Sequence, residues 1–589
     1  MAALNNSQTN VASSMETNDL HEEKKDEMLG SSSDFIGEMA INQPEVLSGY
    51  QLYLLVFSIS LAGFLYSLDV TIIVTAIPTI TTHFHTIEDI GWYGSAYLIT
   101  LCSCAPVIGK LYQYYNSKVT AFIFIIIFEI GSLICGIAPS SIALVIGRAV
   151  AGIGGAGIFS GGLTIVAQST TKEQRGRLVA LIYIFSMVGS IISPIIGGAL
   201  TERTSWRWCF YINLPAGGVT LAVLAFIRIP ENREKTNKKK PTFGEAINRL
   251  DPIGFALFAP FCVMLLISLQ WGGSTHPWNS STIIGLFIGS GLCLFVFLFW
   301  EHRRGDTAMI PLSMLRQHIF YSSCLVTAAQ YGSMNLFSYY LPVWFQTVLG
   351  VDPILSGVYF MATAATLIVT MFLTGVIGSI IFIQIHPSIV PIPVSLGFLN
   401  AHLHTFSFLI GAKLGTPAMF SILGNGISTI GSGLMGTFTP SSHTAAWAGF
   451  QVLAGLGRGM TLQQPINAVQ QTLDPAKMAV GTSIVIFCQF FGGALILAVA
   501  EVDFSTSLRS ALKQYAPGVD ANLIFDVGAA GVRDAVTSEQ LPGVLRAYNQ
   551  AVVNVFYLGC AVSGLAFLAA WGMGLGTTKK SKPADVEEV

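Results

Sequence analysis

Apolar residues along this chain gather into runs of about 20, each long enough to cross the hydrocarbon core of a bilayer as a helix. Short polar stretches separate them. The runs fall near 51–77, 92–113, 119–138, 143–167, 177–200, 209–228, 252–271 and 282–300, then near 320–346, 355–378, 417–437, 444–468, 480–500 and 551–574. The pattern predicts an all-α polytopic membrane protein with fourteen transmembrane helices. One further apolar stretch, 379–411, does not fit this series.

Within the fifth run, Gly189, Ser193 and Gly197 recur every four positions, with Gly198 beside the last of them. Small residues at that spacing form a smooth stripe, along which a neighbouring helix backbone can approach closely in lipid. Pro194 removes one backbone hydrogen bond from the same helix and is expected to bend it.

Composition narrows the class. Hydrophobic residues make up 52% and charged residues only 11%, too little charge for the surface of a soluble protein of this size. A net charge of −2, with no basic or aromatic stripe, gives no sign of a nucleic-acid partner. The cysteines are scattered singly apart from Cys102 and Cys104, without metal-ligand spacing, and read as packing residues. Residues 1–48 form an acidic tail, with Asp and Glu from Glu16 to Glu45 against Lys24 and Lys25. It is expected to be disordered and lacks the pattern of a cleaved signal peptide.

Loop charge orients the spans. With both termini in the cytosol, Arg148 and Arg458 fall inside spans, and only Arg203, Arg207, Arg509, Lys513, Arg533 and Arg546 lie outside. The last four share one long loop, which counts little in the positive-inside rule. Lys172, Arg175, Arg177, Lys238–Lys240, Arg303 and Arg304 mark the inner side. The sequon at Asn279 lies in an outer loop as a glycosylation candidate. The outer loop 503–550 suggests one or two short amphipathic helices. The basic segment 229–250 is a cytosolic linker, lying on anionic lipid or simply solvated.

These residues resemble a known family. Leu68-Asp69-Val70-Thr71 through Pro78 in span 1, Gly91-Trp92-Tyr93-Gly94 opening span 2, and Gly147-Arg148-Ala149-Val150-Ala151-Gly152 in span 4 resemble the signatures of fourteen-span drug:proton antiporters of the major facilitator superfamily. The stretch Gly189 to Gly198 resembles the antiporter motif, and Ser205-Trp206-Arg207-Trp208 through Pro215 follows it as in that family. The likeness covers nearly all of 50–575 and is nearest to fungal toxin and secondary-metabolite efflux pumps. It implies two six-helix bundles with two extra central spans, alternating access, and proton-driven export.

Three positions depart from the family pattern. The loop between spans 2 and 3 carries Gly109, Lys110, Gln113 and Lys118, with Gln113 where an aspartate is usual, so neutral hydrogen bonding is expected to replace a charged latch. Ala151 stands where the arginine motif often has Gln. Ser193 stands where the antiporter motif has Gly, a mild change.

A charge in mid-membrane costs roughly 2.5–3.5 kcal/mol on insertion scales, so those present need a reason. Asp69 or Glu129 is read as the proton carrier, with Arg148 tuning it, against the simpler reading of a fixed buried ion pair. Arg458, between Gly457 and Gly459, is read as the counterpart of Arg148 in the second half. Tyr331, Asn335, Phe337, Tyr339, Tyr340 and Trp344, with Gln463, Gln464 and Asn467, are candidate walls of a substrate cavity, although aromatic residues also serve as lipid anchors.

Residues 379–411 contain no Asp, Glu, Lys or Arg but carry Pro387, Pro391, Pro393, His386, His402 and His404. As a fifteenth span they would reverse every later loop, against Lys477, Lys579, Lys580 and Lys582. We read them as a retained intron, with a re-entrant or interfacial insertion as the alternative. The expected organisation is a tail 1–48, a first bundle 49–228, a linker with the two extra spans 229–318, a second bundle 319–575 and a tail 576–589.

The expected function is proton-coupled efflux of a small amphipathic compound, needing no cofactor beyond the proton gradient. The chain contains no Gly-x-x-x-x-Gly-Lys-Ser/Thr phosphate loop. The expected location is the plasma membrane, or alternatively the vacuolar membrane. A proton-coupled importer of the same fold and a non-transporting solute sensor are the rival readings. Small-molecule substrate, protons and lipid are the partners expected; oligomeric state is left open.

Overall fold

A computed structural model describes residues 47–86, 89–230, 243–273, 276–385 and 416–574. These residues are almost entirely helical. In chain order the helices are α1 (Gly49–Phe84), α2 (Ile90–Tyr114), α3 (Ser117–Ile137), α4 (Ser141–Ser169), α5 (Lys172–Arg203), α6 (Trp208–Tyr211) and α7 (Asn213–Phe226). Next come α8 (Phe243–Arg249), α9 (Pro252–Trp271), α10 (Ser281–Arg304) and α11 (Leu312–Leu315). The last group is α12 (His318–Trp344), α13 (Pro353–Ile385), α14 (Thr416–Met435), α15 (Thr444–Thr461), α16 (Gln464–Thr472), α17 (Met478–Tyr515), α18 (Ala521–Ala535) and α19 (Leu541–Trp571).

Eleven of these segments are long and apolar enough to cross a membrane. Helices α12, α14 and α15 fill the three remaining windows of the sequence pattern. Some helix starts follow local chemistry: Asn116 Oδ1 accepts from Val119 N at 2.8 Å at the head of α3, and Ser140 Oγ from Ala143 N at 3.3 Å at the head of α4.

Helices α1 to α7 pack into one bundle through the α1–α5, α2–α4 and α3–α4 faces. Helices α12 to α19 form a second through α12–α17, α13–α15, α14–α15 and α12–α19. The bundles meet mainly along α2–α17 and α5–α13. The extra pair α9–α10 stands beside that seam, with α9 touching α2 and α17; Phe258 meets Phe487 at 5.1 Å and Phe261 meets Phe491 at 6.0 Å, ring to ring.

Several boundaries differ from the sequence pattern. The expected span 444–468 is divided, because Pro465 lacks an amide hydrogen and sits in the first turn of a new helix, α16. Much of the loop 503–550 is helix continuing from its neighbours. At 38 residues α17 is about 57 Å long, well beyond an apolar core of about 30 Å. Only α18 is a separate amphipathic helix there, held by Arg533, whose Nη2 donates to the Val348 carbonyl at 2.7 Å. Helix α5 runs through Pro194 without interruption. Helix α13 carries on through Ser379 to Ile385; the rest of the anomalous stretch lies outside the described residues, as do 1–46, most of the basic linker and the C-terminal tail.

Candidate functional site

Helix α4 is so rich in glycine that its neighbours approach it backbone to backbone. A Cβ added at Gly154 would meet the Phe128 amide nitrogen of α3 at 2.5 Å, and one at Gly152 would meet the Tyr97 carbonyl of α2. This closeness draws Arg148 into the bundle, where it is 1% exposed. Its Nη1 donates to Asp69 Oδ2 at 2.7 Å and its Nε to the Tyr93 carbonyl at 3.0 Å. The guanidinium carbon lies 4.5 Å from the centre of the Tyr97 ring. Asp69 is fully buried, and its other oxygen accepts from Asn213 Nδ2 at 3.0 Å. Asn213 also reaches Ser132 Oγ at 3.1 Å. One charge on each partner gives a neutral pair, which is how a membrane interior tolerates both.

Glu129 is not part of that pair. It lies one turn before Ser132 on α3, packed against Gly217 of α7, and both of its carboxylate oxygens are buried without a hydrogen-bond partner. Of the two carboxylates singled out from sequence, the fold brings Asp69 to Arg148 and leaves Glu129 beside the Asn213 contact.

Arg458 does not occupy the place of Arg148. The two bundles match residue for residue at their glycines: Gly131 abuts the Ala151 amide and Gly431 the Ala454 amide; Gly152 meets the Tyr97 carbonyl and Gly455 the Thr363 carbonyl; Gly154 and Gly457 meet the amides of Phe128 and Ser428. In that register the counterpart of Arg148 is Gln451, whose Oε1 accepts from Thr363 Oγ1 at 3.1 Å. Arg458 stands two turns further on, where α4 has Gly155. It is stacked 4.6 Å from the Phe337 ring, with one long bond of 3.4 Å to Ser432 Oγ. No acid pairs with it among the described residues, and its Nε has no partner.

The small-residue stripe of α5 lies on α1. A Cβ at Gly189 would come within 2.6 Å of the Phe64 carbonyl, Ser193 Oγ donates to the Leu68 carbonyl at 3.3 Å, and Gly197 faces Ile72 and Thr75. Gly198 points away, with nothing within 4 Å, and Pro194 is exposed. The serine therefore keeps the close approach and adds a bond one residue from Asp69.

A family model for the Major Facilitator Superfamily matches residues 59–497. The chain belongs to that superfamily. It is 41% identical over 537 residues to the MFS-type transporter pigP of Monascus ruber, covering 91% of this chain and 88% of that protein. It is 40% identical over 544 residues to the efflux pump mlcE of Penicillium citrinum, covering 91% and 92%. Among solved structures, the proton:xylose symporter XylE aligns with a TM-score of 0.54 at 13% identity, over 88% of this chain and 95% of that one. The human organic anion transporter MFSD10 aligns at 0.52 and 12%, over 89% and 100%; both are likenesses of fold.

In this major facilitator two lysines flank the turn between α2 and α3 and make its polar contacts. Lys110, buried, donates to the carbonyls of Thr307 at 2.6 Å and Arg249 at 3.2 Å, tying α2 to both ends of the extra helix pair. Lys118 donates to the carbonyls of Ala225 and Ile227, each at 2.8 Å, closing the end of α7. Gly109 lies against Val480 and Ser483 of α17. Gln113 makes no side-chain hydrogen bond among the described residues, so it does not supply the neutral latch expected of it.

The candidate cavity residues separate. Tyr331, Asn335 and Tyr339 share one face of α12 and grow steadily more exposed, from 5% at Tyr331 to 59% at Tyr339. Gln464 and Asn467 lie away from them, in a small pocket with Lys172 and Gly375 between the bundles. Phe337, Tyr340 and Trp344 are buried in the second bundle; Trp344 Nε1 donates to Asn549 Oδ1 at 2.8 Å. Gln463 Nε2 reaches the Met371 carbonyl at 3.4 Å. Asn279 is exposed in the turn before α10.

The sequence reading missed the layer where the halves meet. Tyr66 stacks on Phe159 at 5.3 Å and meets Phe490 at 6.0 Å, and Phe159 meets Tyr183 at 5.4 Å. Tyr183 donates to Gln489 Oε1 across the seam at 3.1 Å. No spacing within one helix signals such a layer, because each ring comes from a different span.

Proposed function

We propose that this chain exports a small amphipathic compound in exchange for protons, moving between two states in which the cleft between the bundles opens to opposite sides. The Asp69–Arg148 pair carries the reading: a neutral ion pair, fully buried, on two helices that line the same bundle. A proton arriving at Asp69 neutralises the carboxylate and frees the guanidinium of its partner, so the two helices then pack differently. Loss of that proton to the cytosol restores the pair. Glu129, unpartnered and one turn from Ser132, is the second carboxylate on this route.

Contacts between the bundles support an outward-opening state. Arg175 Nη1 donates to the Gln470 carbonyl at 3.1 Å, Gln470 Nε2 to the Leu163 carbonyl at 3.3 Å, and Ser160 meets Ser483. All lie on the side whose loops are basic, read as cytosolic, while exposure rises from Tyr331 to Tyr339 toward the other side. The names of relatives such as the efflux pump mlcE favour export over import. The stripe of α5 on α1 provides the surface along which the first bundle would rock. Both termini are then cytosolic, in the plasma or vacuolar membrane.

The test is accumulation of a panel of fluorescent amphipathic compounds in transporter-null yeast expressing the chain, with and without a protonophore. Lower accumulation that disappears with the protonophore and in Asp69→Asn is the expected result. Higher accumulation would establish import instead. Export that persists without a proton gradient would reject the coupling.

A further inference from the structure

The aromatic layer between the bundles contains hydroxyl groups that the protein itself leaves unused. Tyr66 and Tyr97 are 3% and 0% exposed, and neither phenol oxygen has a hydrogen-bond partner, whereas Tyr331 lies beside Tyr183 and Gln489 at the seam. An unpaired hydroxyl in an apolar setting costs free energy of the order of 1–3 kcal/mol, so two side by side point to a partner supplied from outside the chain. They sit on α1 and α2 of the first bundle, and Phe490 of α17 brings the second half against Tyr66. Gly155 makes the gathering possible: a Cβ there would collide with the Tyr97 hydroxyl and come within 3.0 Å of the Tyr66 ring.

The charge around the layer defines what fits. Arg148 covers the Tyr97 ring but is neutralised by Asp69, and among the described residues no other cation lies over these rings to hold an anion; Arg458 stacks on Phe337 instead. What remains is flat ring surface and hydrogen-bond donors. We propose that this layer is the recognition floor for the exported compound, and that it selects uncharged, flat, conjugated molecules carrying carbonyl acceptors. Stacking on Tyr66, Phe159 and Phe490 holds the plane of the ligand, and the phenols donate to its carbonyl oxygens. A site with buried donors discriminates against an analogue lacking the acceptor, because the donors are then left unpaired.

This assignment rests on the transport reading and deepens it. Tyr66 is one turn from Asp69, and Tyr97 lies under Arg148, so a ligand ordering these phenols acts on the side chains that pack against the ion pair. Binding and protonation are then linked, each altering the affinity for the other.

The test uses the purified full chain in lipid nanodiscs, with equilibrium binding followed by quenching of intrinsic fluorescence. Three probes of similar shape are compared: anthraquinone, anthracene and anthraquinone-2-carboxylate. Anthraquinone is expected to bind most tightly. Tyr66→Phe and Tyr97→Phe, which keep the rings, are each expected to weaken it about 2- to 10-fold while leaving anthracene unchanged, so anthracene also reports that the variants are folded. Equal weakening of both probes, no weakening of anthraquinone, tighter binding of the carboxylate, or no binding of anthraquinone to the unsubstituted chain would each overturn the proposal. Flux is scored separately in cells. Hydroxyl-dependent binding without proton-driven flux sinks the transport reading and leaves the site standing.

Discussion

Arg148 and Gln451 stand at the same level of their respective bundles, each four residues before a glycine that packs on a backbone carbonyl of the neighbouring helix. One is charged and bound to a carboxylate; the other is neutral and bound to a threonine hydroxyl. The halves thus share a scaffold and differ in chemistry. The charged pair belongs to the first bundle, while the second contains Arg458, with no acidic partner among the described residues, two turns away from the matching place.

That asymmetry predicts opposite outcomes for two like substitutions. Arg148→Met leaves Asp69 buried and charged without its partner, and is expected to destabilise the fold by about 3–5 kcal/mol. Arg458→Met removes a buried charge that no acid compensates, and should leave stability unchanged or raised. Thermal unfolding of the purified proteins separates the two. Equal destabilisation would mean that Arg458 has a counter-charge in the folded chain.

The α5 stripe makes a comparable contrast within one motif. Gly189→Val places branched carbon against the Phe64 carbonyl, which is already within 2.6 Å of a single added carbon; both transport and melting temperature should fall. Gly198→Ala meets open space and should change melting by no more than about 0.5 kcal/mol equivalent. Side-by-side efflux and melting measurements decide whether close approach or motif membership matters.

Lys110 and Gln113 are separated in the same way. Lys110→Met cuts the bonds to Arg249 and Thr307, so amide hydrogen exchange at 243–252 and 304–310 should accelerate. Gln113→Ala removes a side chain with no bond among the described residues and should leave exchange as it was. Acceleration by the glutamine variant alone would return the latch to that position.

Asn279 tests the orientation. Expressed in yeast, the chain should lose apparent mass on endoglycosidase treatment, and Asn279→Gln should abolish that shift. A glycan persisting in the variant would place a different loop on the outer side.

The length and spacing of apolar runs were enough to fix the helical membrane architecture, since in lipid every backbone group must be satisfied within its own helix. The small residues at Gly189, Ser193 and Gly197 likewise gave the packing face of α5, because a four-residue spacing is a property of one helix. Arg148 and Asp69 were recognisable as costly charges needing a partner. Which carboxylate Arg148 chooses depends on how α1, α3 and α4 are staggered, and the match of Gln451 to Arg148 on how α13, α14 and α15 are. Glycine contacts between helices set that stagger, and no single-helix pattern encodes it. The rings of Tyr66, Phe159, Tyr183 and Phe490 come from four different helices. They meet only when the two bundles close on each other, so only the tertiary structure decides that they form one layer.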